Sequence, residues 1–537
     1  MHRLRRVLRR VAALVVAIPA ALVVAGTPAQ AIGPNPLPVT VTNSTGRGEA
    51  VFLYVIGINL ATGRLGYVNS AGTFIAWSGG AIPPAPAPDV SIAGPGNGGS
   101  TTIRFPRGFS GRVYFSFGER IKFFLTPDGL VQPAPWAAGD ANQNILFDWS
   151  EFTYNDAGLW LNSSQVDMFA IPHAVTVTGA NGVTKRTGDV VANGRTNVIN
   201  SIKAQSGWAN TVDTRADGTV LRVLAPGKAA GAGRFSATYL DSYITSAWNA
   251  YTTKTLTVVP FADQPNTRYF GRTSGNVMTF TNSSGAVVAQ FNKPSSANVW
   301  GCDGNLAAPN DLVVGPISRT LCAALNRGTL GTIDTQPSLN AADFYKSNPT
   351  NQYAKIIHAN MTDGKAYAFA FDDVGAFESL VNDGDPRSAS IILSPFTGGG
   401  GGGGGGGQPG AKALVNANGP CLDVRSSGTA NGTPVQIYTC NGTGAQQWTY
   451  VEAGSTLRAL GKCLDIPNGA TANGTKLQLW DCNATGAQVF VKRADGSFYN
   501  PQANRCLDVP SGSTTPGTQV QIWDCNGSNA QRWTLLT

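Results

Sequence analysis

Short hydrophobic runs, separated by Gly, Asn and Pro, dominate the first half of the chain. They include Val39-Thr40-Val41, Val113 to Phe117, Ile145 to Phe152 and Ala174 to Thr178. Runs of this length, bounded by turn-forming residues, are typical of β-strands. The pattern predicts a β-rich first half.

Helical periodicity follows later in the chain. One predicted helix face combines six hydrophobic residues, namely Phe235, Tyr239, Leu240, Tyr243, Ile244 and Trp248. A second face carries Ile317, Leu321 and Leu325, and Gly328 ends that helix. These patterns predict an α/β half that is inserted into the β-rich half or appended to it.

A run of ten glycines at residues 398–407 is followed by Gln408-Pro409-Gly410. Such a run has no side chains to pack and loses the most backbone entropy on ordering. Residues 398–410 are therefore predicted to be a flexible linker between residues 32–397 and residues 411–537.

The region after the linker repeats three times. Cys421-Leu422-Asp423, Cys463-Leu464-Asp465 and Cys506-Leu507-Asp508 recur, and a second cysteine follows each triplet at a constant spacing. One disulfide within each repeat is the economical pairing, giving Cys421 with Cys440, Cys463 with Cys482 and Cys506 with Cys525. The remaining pair, Cys302 and Cys322, is expected to link the second helix to the loop before it. The repeats predict three β lobes that share one core, because one lobe alone buries too little apolar surface.

The first 31 residues have the pattern of a signal peptide. Five arginines precede an apolar stretch from Val11 to Ala25, and Ala29-Gln30-Ala31 offers a cleavage site. The apolar stretch is shorter than the roughly 20 residues of a membrane span. We therefore expect secretion, by the Sec route or, given Arg5-Arg6, by twin-arginine export. Removal of this segment lowers the formal net charge from +8 to +3, and nothing calls for a nucleic-acid partner.

Nucleophile and metal chemistry find little support. Only His173 and His358 remain after cleavage, and no G-x-S-x-G elbow precedes a helix. We interpret His173 as structural and expect neither a metal nor an organic cofactor.

Two carboxylates are better candidates. If Phe147 to Asn155 is a strand, Glu151 shares a face with Phe147 and Trp149, and apolar neighbours favour the acid form of a carboxyl. Asp167 follows shortly after, flanked by Val166 and Met168. A hairpin that turns near Asp156 would place Glu151 and Asp167 on neighbouring strands, on one side. Glycoside hydrolysis uses such a carboxylate pair.

Residues 36–397 resemble glycoside hydrolase family 64, the laminaripentaose-producing type of β-1,3-glucanase. The resemblance rests on three motifs, residues 148–155 (DWSEFTYN), 158–160 (GLW) and 165–169 (QVDMF), and on the spacing of their two acids. It implies a thaumatin-like β-barrel and an α/β half around a wide cleft. Glu151 would be the proton donor and Asp167 the general base of an inverting reaction. The implied glucan contacts are Thr153, Asn155 and Trp160, and Asp148 and Asp156 remain rival acids.

The C-terminal repeats resemble the ricin-B-type β-trefoil lectin, carbohydrate-binding module family 13. Each lobe would bind sugar through an Asp, a Gln and an aromatic ring. The matching positions are Asp423, Gln436 and Tyr438, then Asp465, Gln478 and Trp480, then Asp508, Gln521 and Trp523. The pattern departs from the family at Ala445, Ala487 and Ala530, where Asn is frequent, and at Phe490, which replaces Trp.

Together these features predict a secreted, monomeric, endo-type hydrolase of β-1,3-glucan that releases laminari-oligosaccharides such as the pentaose. The trefoil would bind further sugars and keep the enzyme near insoluble polysaccharide. One alternative is a non-catalytic, thaumatin-like glucan-binding protein, in which Glu151 and Asp167 pair with basic groups or point away from the cleft. Another is a hydrolase of a different polysaccharide.

Overall fold

The computed structural model describes residues 33–127, 129–396 and 412–535, the last range without 426, 427, 429, 441–443, 452, 453 and 484. The described residues up to Phe396 and the described residues from Lys412 onward form two compact units. The expected signal peptide, residues 1–31, and the Gly-rich linker, residues 398–410, lie outside the described residues.

The first unit is built mainly from strands. In chain order they are β1 (Leu37–Asn43), β2 (Val51–Asn59), β3 (Leu65–Val68), β4 (Phe74–Ala76), β5 (Ala85–Pro86), β6 (Ile92–Ala93), β7 (Ser100–Phe105), β8 (Phe109–Phe117), β9 (Phe124–Thr126), β10 (Gly129–Val131), β11 (Leu146–Asn155), β12 (Gly158–Ser163), β13 (Met168–Phe169), β14 (His173–Gly179), β15 (Thr184–Thr187), β16 (Val212–Thr214), β17 (Val220–Leu224), β18 (Leu256–Val258), β19 (Tyr269–Ser274), β20 (Val277–Thr281), β21 (Val287–Asn292), β22 (Thr335–Gln336), β23 (Leu380–Asp383) and β24 (Pro386–Leu393). The predicted strands near residues 39, 113, 145 and 174 correspond to β1, β8, β11 and β14, which confirms a β-rich first half.

Two sheets enclose the first hydrophobic core. The long sheet has the order β23-β12-β11-β8-β2-β3-β4, with β6 paired to β2, and the second sheet has the order β15-β14-β24-β1-β7. Alternate side chains of both sheets meet between them, as in the stacked rings of Phe105 and Phe152, whose centroids lie 3.6 Å apart. This core buries one face of the long sheet against the second sheet, and the other face of the long sheet packs elsewhere.

The other face of the long sheet packs, at one end, against a mixed α/β half. Its helices are α1 (Gly194–Lys203), α2 (Pro226–Gly231), α3 (Asp241–Ala250), α4 (Ser296–Gly301), α5 (Val314–Asn326) and α6 (Gln352–Ala359). Phe147, Trp149 and Tyr114 of the long sheet belong to the same core as the buried sides of these helices. The α/β half follows the strands β1–β15 in sequence, and the last strands β23 and β24 return to the two sheets.

The first predicted helix begins later than its periodicity indicated. Helix α3 starts at Asp241, whereas Phe235 and Tyr239 lie in the turns before it. Both rings pack on Trp208, with centroid distances of 4.5 and 5.3 Å. These two rings are therefore hydrophobic because they pack against Trp208, and their spacing in the sequence only resembles that of a helical face. Helix α5, by contrast, contains Ile317, Leu321 and Leu325 as predicted, and Gly328 follows its end with a φ of 70°.

The second unit consists of short strands around one core. They are β25 (Lys412–Asn416), β26 (Cys421–Val424), β27 (Thr433–Tyr438), β28 (Gln447–Val451), β29 (Thr456–Ala459), β30 (Lys462–Asp465), β31 (Gln478–Trp480), β32 (Val491–Lys492), β33 (Phe498–Asn500), β34 (Arg505–Asp508), β35 (Gln521–Trp523) and β36 (Trp533–Leu535). Equivalent residues of all three repeats, such as Leu422, Leu464 and Leu507, are buried in that core. Pairing of β25 with β36 joins the two ends of the unit.

The eight cysteines form four disulfides in the predicted pairs, Cys302–Cys322, Cys421–Cys440, Cys463–Cys482 and Cys506–Cys525. The last three occupy equivalent positions in the three lobes. Among the helices of the described residues, none combines the length and the apolar character needed to cross a bilayer.

Candidate active site

The predicted hairpin is present and organises the site. Strands β11 and β12 pair from Ser150 with Ser163 to Asn155 with Gly158, so the turn contains Asp156 and Ala157. The Asn155 side-chain oxygen accepts a hydrogen bond of 2.8 Å from the Ala157 amide, which closes the turn. Gly158 has a φ of 123° and packs against the Asp383 carbonyl, so a side chain there would be strained and would clash.

The strand register gathers the predicted residues on one side of the long sheet. Residues directly opposite one another in an antiparallel pair project to the same side. Glu151 lies opposite Asn162 on β12 and opposite Arg112 on β8, and Thr153 lies opposite Trp160 and Ser110. We call the part of this side that lies beyond the buried rings of Tyr114 and Trp149 the polar face. It consists of Ser110, Arg112, Glu151, Thr153, Asn155, Trp160 and Asn162.

Asp167 reaches this group by a different route from the one predicted. It does not lie on β12, because that strand ends at Ser163 and Ser164 pairs instead with Tyr367. Asp167 precedes β13, which pairs with β17, and its carbonyl accepts a 3.0 Å hydrogen bond from the Ala225 amide. The expected placement of both acids on neighbouring strands of one hairpin is therefore wrong. Pairing of β13 with β17 turns the chain out of the hairpin after β12.

One guanidinium brings the two carboxylates together. Arg112 Nη2 lies 2.9 Å from Glu151 Oε1 and 3.8 Å from Asp167 Oδ2. Because both oxygens contact the same nitrogen, their separation cannot exceed the sum of these two distances. A second cation, Lys228 Nζ on α2, lies 3.0 Å from Asp167 Oδ1. The acid side chains are 16% and 14% exposed, so solvent reaches both only partly.

Aromatic rings hold the two cations in place. The Arg112 guanidinium lies 4.6 Å from the Trp149 ring centroid, and Lys228 Nζ lies 4.7 Å from that of Trp136. Burial alone would lower the pKa of Arg112, but Tyr114, Glu151 and Asp167 raise it above its usual range. Glu151 therefore faces a charged guanidinium stacked on Trp149, whereas the sequence indicated contact with the apolar rings themselves.

The rival acid Asp148 has a structural position. It is 1% exposed, and its oxygens accept hydrogen bonds from the amides of Trp149, Ala170 and Ile171 at 3.0, 2.9 and 2.9 Å. Burial raises its pKa to about 7, against the opposite influence of these hydrogen bonds. Asp148 thus connects β11 to the chain that follows Asp167. The other rival, Asp156, is 80% exposed in the hairpin turn, 3.9 Å from Arg107.

The three predicted glucan contacts lie along the polar face beyond Glu151. Thr153 is buried, and its hydroxyl lies 2.8 Å from that of Ser110. Trp160 is partly exposed on β12, and Asn155 stands at the end of β11. The structure places these side chains on the same side of the sheet as Glu151, and their contact with glucan stays a prediction.

Sequence reasoning missed the two cations. Arg112 could have been noticed in the sequence, because it is a charged residue within the hydrophobic run of β8. It lies two residues before Tyr114, so both side chains lie on the same face of that strand. Lys228 lies on the short helix α2, and no local pattern connects it with Asp167. Both contacts join segments distant in sequence, which alternation patterns do not report.

The histidines lie outside the carboxylate group. His173 is buried, its Nδ1 lies 2.8 Å from the Ile171 carbonyl, and burial lowers its pKa to about 4. It is therefore neutral at physiological pH, in keeping with a structural role. His358 Nε2 lies 2.9 Å from Asp372 Oδ2. Among the described residues, no group of three or more His, Cys, Asp or Glu side chains is arranged to hold a metal ion.

In the second unit, each predicted sugar-binding aspartate is engaged internally. The two carboxylate oxygens of each aspartate accept hydrogen bonds from two glutamine side chains. Asp423 accepts from Gln436 and Gln446 at 2.9 and 3.1 Å, and Asp465 accepts from Gln478 and Gln488 at 2.8 and 3.0 Å. Asp508 accepts from Gln521 and Gln531 at 2.8 and 3.1 Å. The aspartates are nearly buried, whereas Tyr438, Trp480 and Trp523 are 41%, 37% and 40% exposed. The rings are thus the parts of each lobe that a sugar reaches first.

Two carboxylates that share a cation at one end of a polar sheet face, with a partly exposed tryptophan on that face, fit the class of carbohydrate-cleaving enzymes better than that of triad hydrolases. Residues 35–393 match the family described as beta-1,3-glucanase, and the chain belongs to this family, glycoside hydrolase family 64. Residues 411–533 match the ricin-type beta-trefoil lectin domain. Both matches confirm the resemblances drawn from the sequence motifs.

Similar proteins support the same assignment. Two proteins named glucan endo-1,3-beta-glucosidase, from Arthrobacter sp. (strain YCWD3) and Cellulosimicrobium cellulans, are each 46% identical over 468 residues, covering 85% of this chain and 84% of theirs. A laminaripentaose-producing beta-1,3-glucanase solved with laminaritetraose is 52% identical, with a TM-score of 0.65 over 68% of this chain and 99% of its own. A family 64 domain from Clostridium beijerinckii is 26% identical, with a TM-score of 0.57 over 67% and 98%.

Proposed function

We propose that this protein hydrolyses β-1,3-glucan by inversion, with Glu151 as general acid and Asp167 as general base. The observation that carries the proposal is the convergence of both carboxylates on the Arg112 guanidinium, at one end of the polar face. Glu151 would protonate the glycosidic oxygen while Asp167 takes a proton from the water that attacks the anomeric carbon. The bond between that carbon and the leaving oxygen then breaks, and water supplies the new hydroxyl.

The spacing of the acids is compatible with inversion. Inverting enzymes keep their carboxyl groups about 6.5–9.5 Å apart to admit a water, against about 5–5.5 Å in retaining enzymes. The distances of 2.9 and 3.8 Å to the shared Arg112 nitrogen allow this oxygen pair to reach only the lower end of the inverting range and also admit the retaining spacing, so inversion is carried by the family resemblance. The two Asp167 oxygens each face a cation, Oδ2 facing Arg112 and Oδ1 facing Lys228.

The two carboxylate oxygens of Glu151 have different roles in this proposal. Oε1 accepts a hydrogen bond of 3.0 Å from Arg112 Nε and forms an ion pair with Nη2 at 2.9 Å. Among the described residues, no group donates a hydrogen bond to Oε2. Oε2 is therefore the oxygen that would carry the proton to the substrate, while Oε1 keeps the carboxyl group oriented.

The non-catalytic alternative has one observation in its favour. It predicted that Glu151 and Asp167 pair with basic groups, and Arg112 and Lys228 do pair with them. Such pairs also orient acids within active sites, so the pairing alone does not separate the two functions. Membership of the glucanase family favours the enzyme, and it likewise disfavours a hydrolase of another polysaccharide.

We further propose that residues 1–31 are a signal peptide, that the protein is secreted and monomeric, and that residues 32–397 and 411–537 are domains joined by a linker at 398–410. The catalytic domain would form a thaumatin-like barrel and an α/β half around a wide cleft. The trefoil would hold polysaccharide through the exposed rings of Tyr438, Trp480 and Trp523. Endo-type action releasing products such as the pentaose belongs to the same proposal.

The test is reducing-sugar release from laminarin and curdlan by the parent and by Glu151→Gln and Asp167→Asn. Loss of acid or base catalysis lowers rates about 10²- to 10⁴-fold, so both variants should lose at least about 100-fold. Asp156→Asn is the matched control and should retain parental rates. An inactive parent that still binds curdlan would support the binding-protein alternative. Proton NMR of the first product formed distinguishes inversion from retention at the anomeric carbon.

A further inference from the structure

A pocket of about 310 Å³ lies near the proposed base, between the loop before β11 and strands β16 and β17. Trp136, Ala138 and Asn144 line it from the loop, and Asp213 and Thr214 line it from β16. This volume is at the small end of ligand sites and suits one sugar ring of a bound chain rather than a protein segment.

The lining is suited to a neutral, hydroxyl-rich ligand. Trp136 offers an aromatic ring to the C–H face of a pyranose, and Asn144 and Thr214 are exposed. Among the described residues, neither Asn144 nor Thr214 uses its side chain in a hydrogen bond. Both groups can therefore donate to and accept from sugar hydroxyls without breaking an existing contact.

The charged side chains that line the pocket are held by contacts within the protein. Arg234 pairs with Asp213 and also donates to the carbonyls of Asn210 and Val212, at 2.9 and 3.3 Å. Asp213 accepts in addition from Arg222, at 3.2 Å. The Arg234 guanidinium and the Asp213 carboxylate thus form a fixed polar wall, and together with Arg222 they carry one net positive charge.

Trp136 connects this pocket with the carboxylates. Its ring centroid lies 4.7 Å from Lys228 Nζ, and the same nitrogen lies 3.0 Å from Asp167 Oδ1. The ring and the base therefore share one neighbour, the Lys228 head group. An oligosaccharide bound across Asp167 has to extend only a short way to reach the indole.

We propose that this pocket is a subsite for one glucose unit of the glucan chain, on the Asp167 side of the cleavage point. The inference rests on the proposed function, because it assumes that Asp167 acts on the same chain. Occupation of the pocket adds affinity only for oligosaccharides long enough to reach it. The pocket thus contributes to the dependence of cleavage on chain length and to the product pattern.

The test fills the pocket without touching Trp136 or Lys228. Ala138→Trp places an indole in the cavity, Asn144→Ala removes one polar group, and Ala141→Trp is a matched control on an exposed position of the same loop. Rates are measured on laminari-oligosaccharides from the trisaccharide to the hexasaccharide, with product profiles. Titration calorimetry in the Glu151→Gln background measures binding independently of turnover.

We expect Ala138→Trp to weaken binding of the long oligosaccharides about tenfold, the equivalent of one stacking contact and one hydrogen bond. Short oligosaccharides should bind and react as in the parent, so the dependence on length flattens. Equal behaviour of Ala138→Trp and Ala141→Trp across the series would overturn the subsite, as would a loss independent of length. Inactivity of the parent on every oligosaccharide would instead contradict the proposed function, and the calorimetric series would still decide about the pocket.

Discussion

Asp148 makes the stability of the first unit depend on pH in a predictable direction. Its carboxyl group is 1% exposed and its pKa rises from 3.8 to about 7, with burial as the main cause. The folded state therefore binds this proton more tightly than the unfolded chain does. Between pH 4 and pH 7 the folded state carries more protons at Asp148 than the unfolded chain does, so the contribution of Asp148 to the free energy of unfolding falls as pH rises through this window.

The size of this effect follows from the shift. About three pH units at about 1.36 kcal/mol each give about 4 kcal/mol, which is present below pH 4 and lost by pH 7. The Asp148→Asn variant cannot ionise, so it lacks this dependence. Its amide also loses at least one of the three backbone donors, from Trp149 or from the Ala170–Ile171 pair, at a pH-independent cost of about 1–3 kcal/mol.

The assay is guanidinium unfolding of the full chain at pH 4.5, 5.5, 6.5 and 7.5, followed by tryptophan fluorescence, for the parent and for Asp148→Asn. The parent should be the more stable protein at pH 4.5, and the difference should shrink or reverse by pH 7.5. Glu378, whose pKa burial raises to about 7, and His173, whose pKa burial lowers to about 4, contribute equally to both proteins and cancel in the difference. Asp156→Asn serves as the exposed control. A difference between parent and Asp148→Asn that stays constant across this range would refute the reasoning.

Three further outcomes are expected. Arg112→Met should lower kcat/KM on laminarin at least about 100-fold, because both carboxylates lose their shared partner, and Arg112→Lys should lose less because it keeps the charge. Joint replacement of Tyr438, Trp480 and Trp523 by Ala should weaken pull-down by insoluble curdlan, which the catalytic unit is also expected to bind, while rates on soluble laminarin stay parental; unchanged pull-down would exclude the rings. Gly158→Ala should lower the thermal midpoint, since φ is 123° and the Asp383 carbonyl fills the space, with Gly182→Ala, which is strained but unobstructed, as the comparison.

The local features of the site could be predicted from sequence, and the long-range ones could not. Alternation in residues 147–155 and the turn at Asp156 were sufficient to predict β11, the hairpin and the common face of Phe147, Trp149 and Glu151. Asp167 was misplaced because pairing of β13 with β17 overrides the continuation of β12. Local propensity contains no information about a partner strand that lies far away in sequence.

The three repeats of the trefoil contain a pattern of which the prediction from sequence used only part. Two glutamines follow each aspartate at the same two spacings in all three repeats. The structure uses both glutamines to satisfy one buried carboxylate, as in Asp465 with Gln478 and Gln488. A buried carboxylate needs its hydrogen bonds satisfied. The repeated set of one aspartate and two glutamines therefore indicates a requirement of the fold. The exposed rings are the stronger indication of sugar binding.

The two catalytic candidates are close in sequence but are positioned by different parts of the molecule. Glu151 takes its place from the register of the long sheet, between Arg112 and Asn162. Asp167 takes its place from the segment around α2, through the Ala225 amide and Lys228, and from the hydrogen bonds of Asp148 just beyond it. Changes in the α2 segment should therefore move the base and leave the acid in place. A reaction that needs a fixed distance between acid and base thus depends on how the sheet and the α/β half pack, and Arg112 and Asp148 are side chains that span that junction.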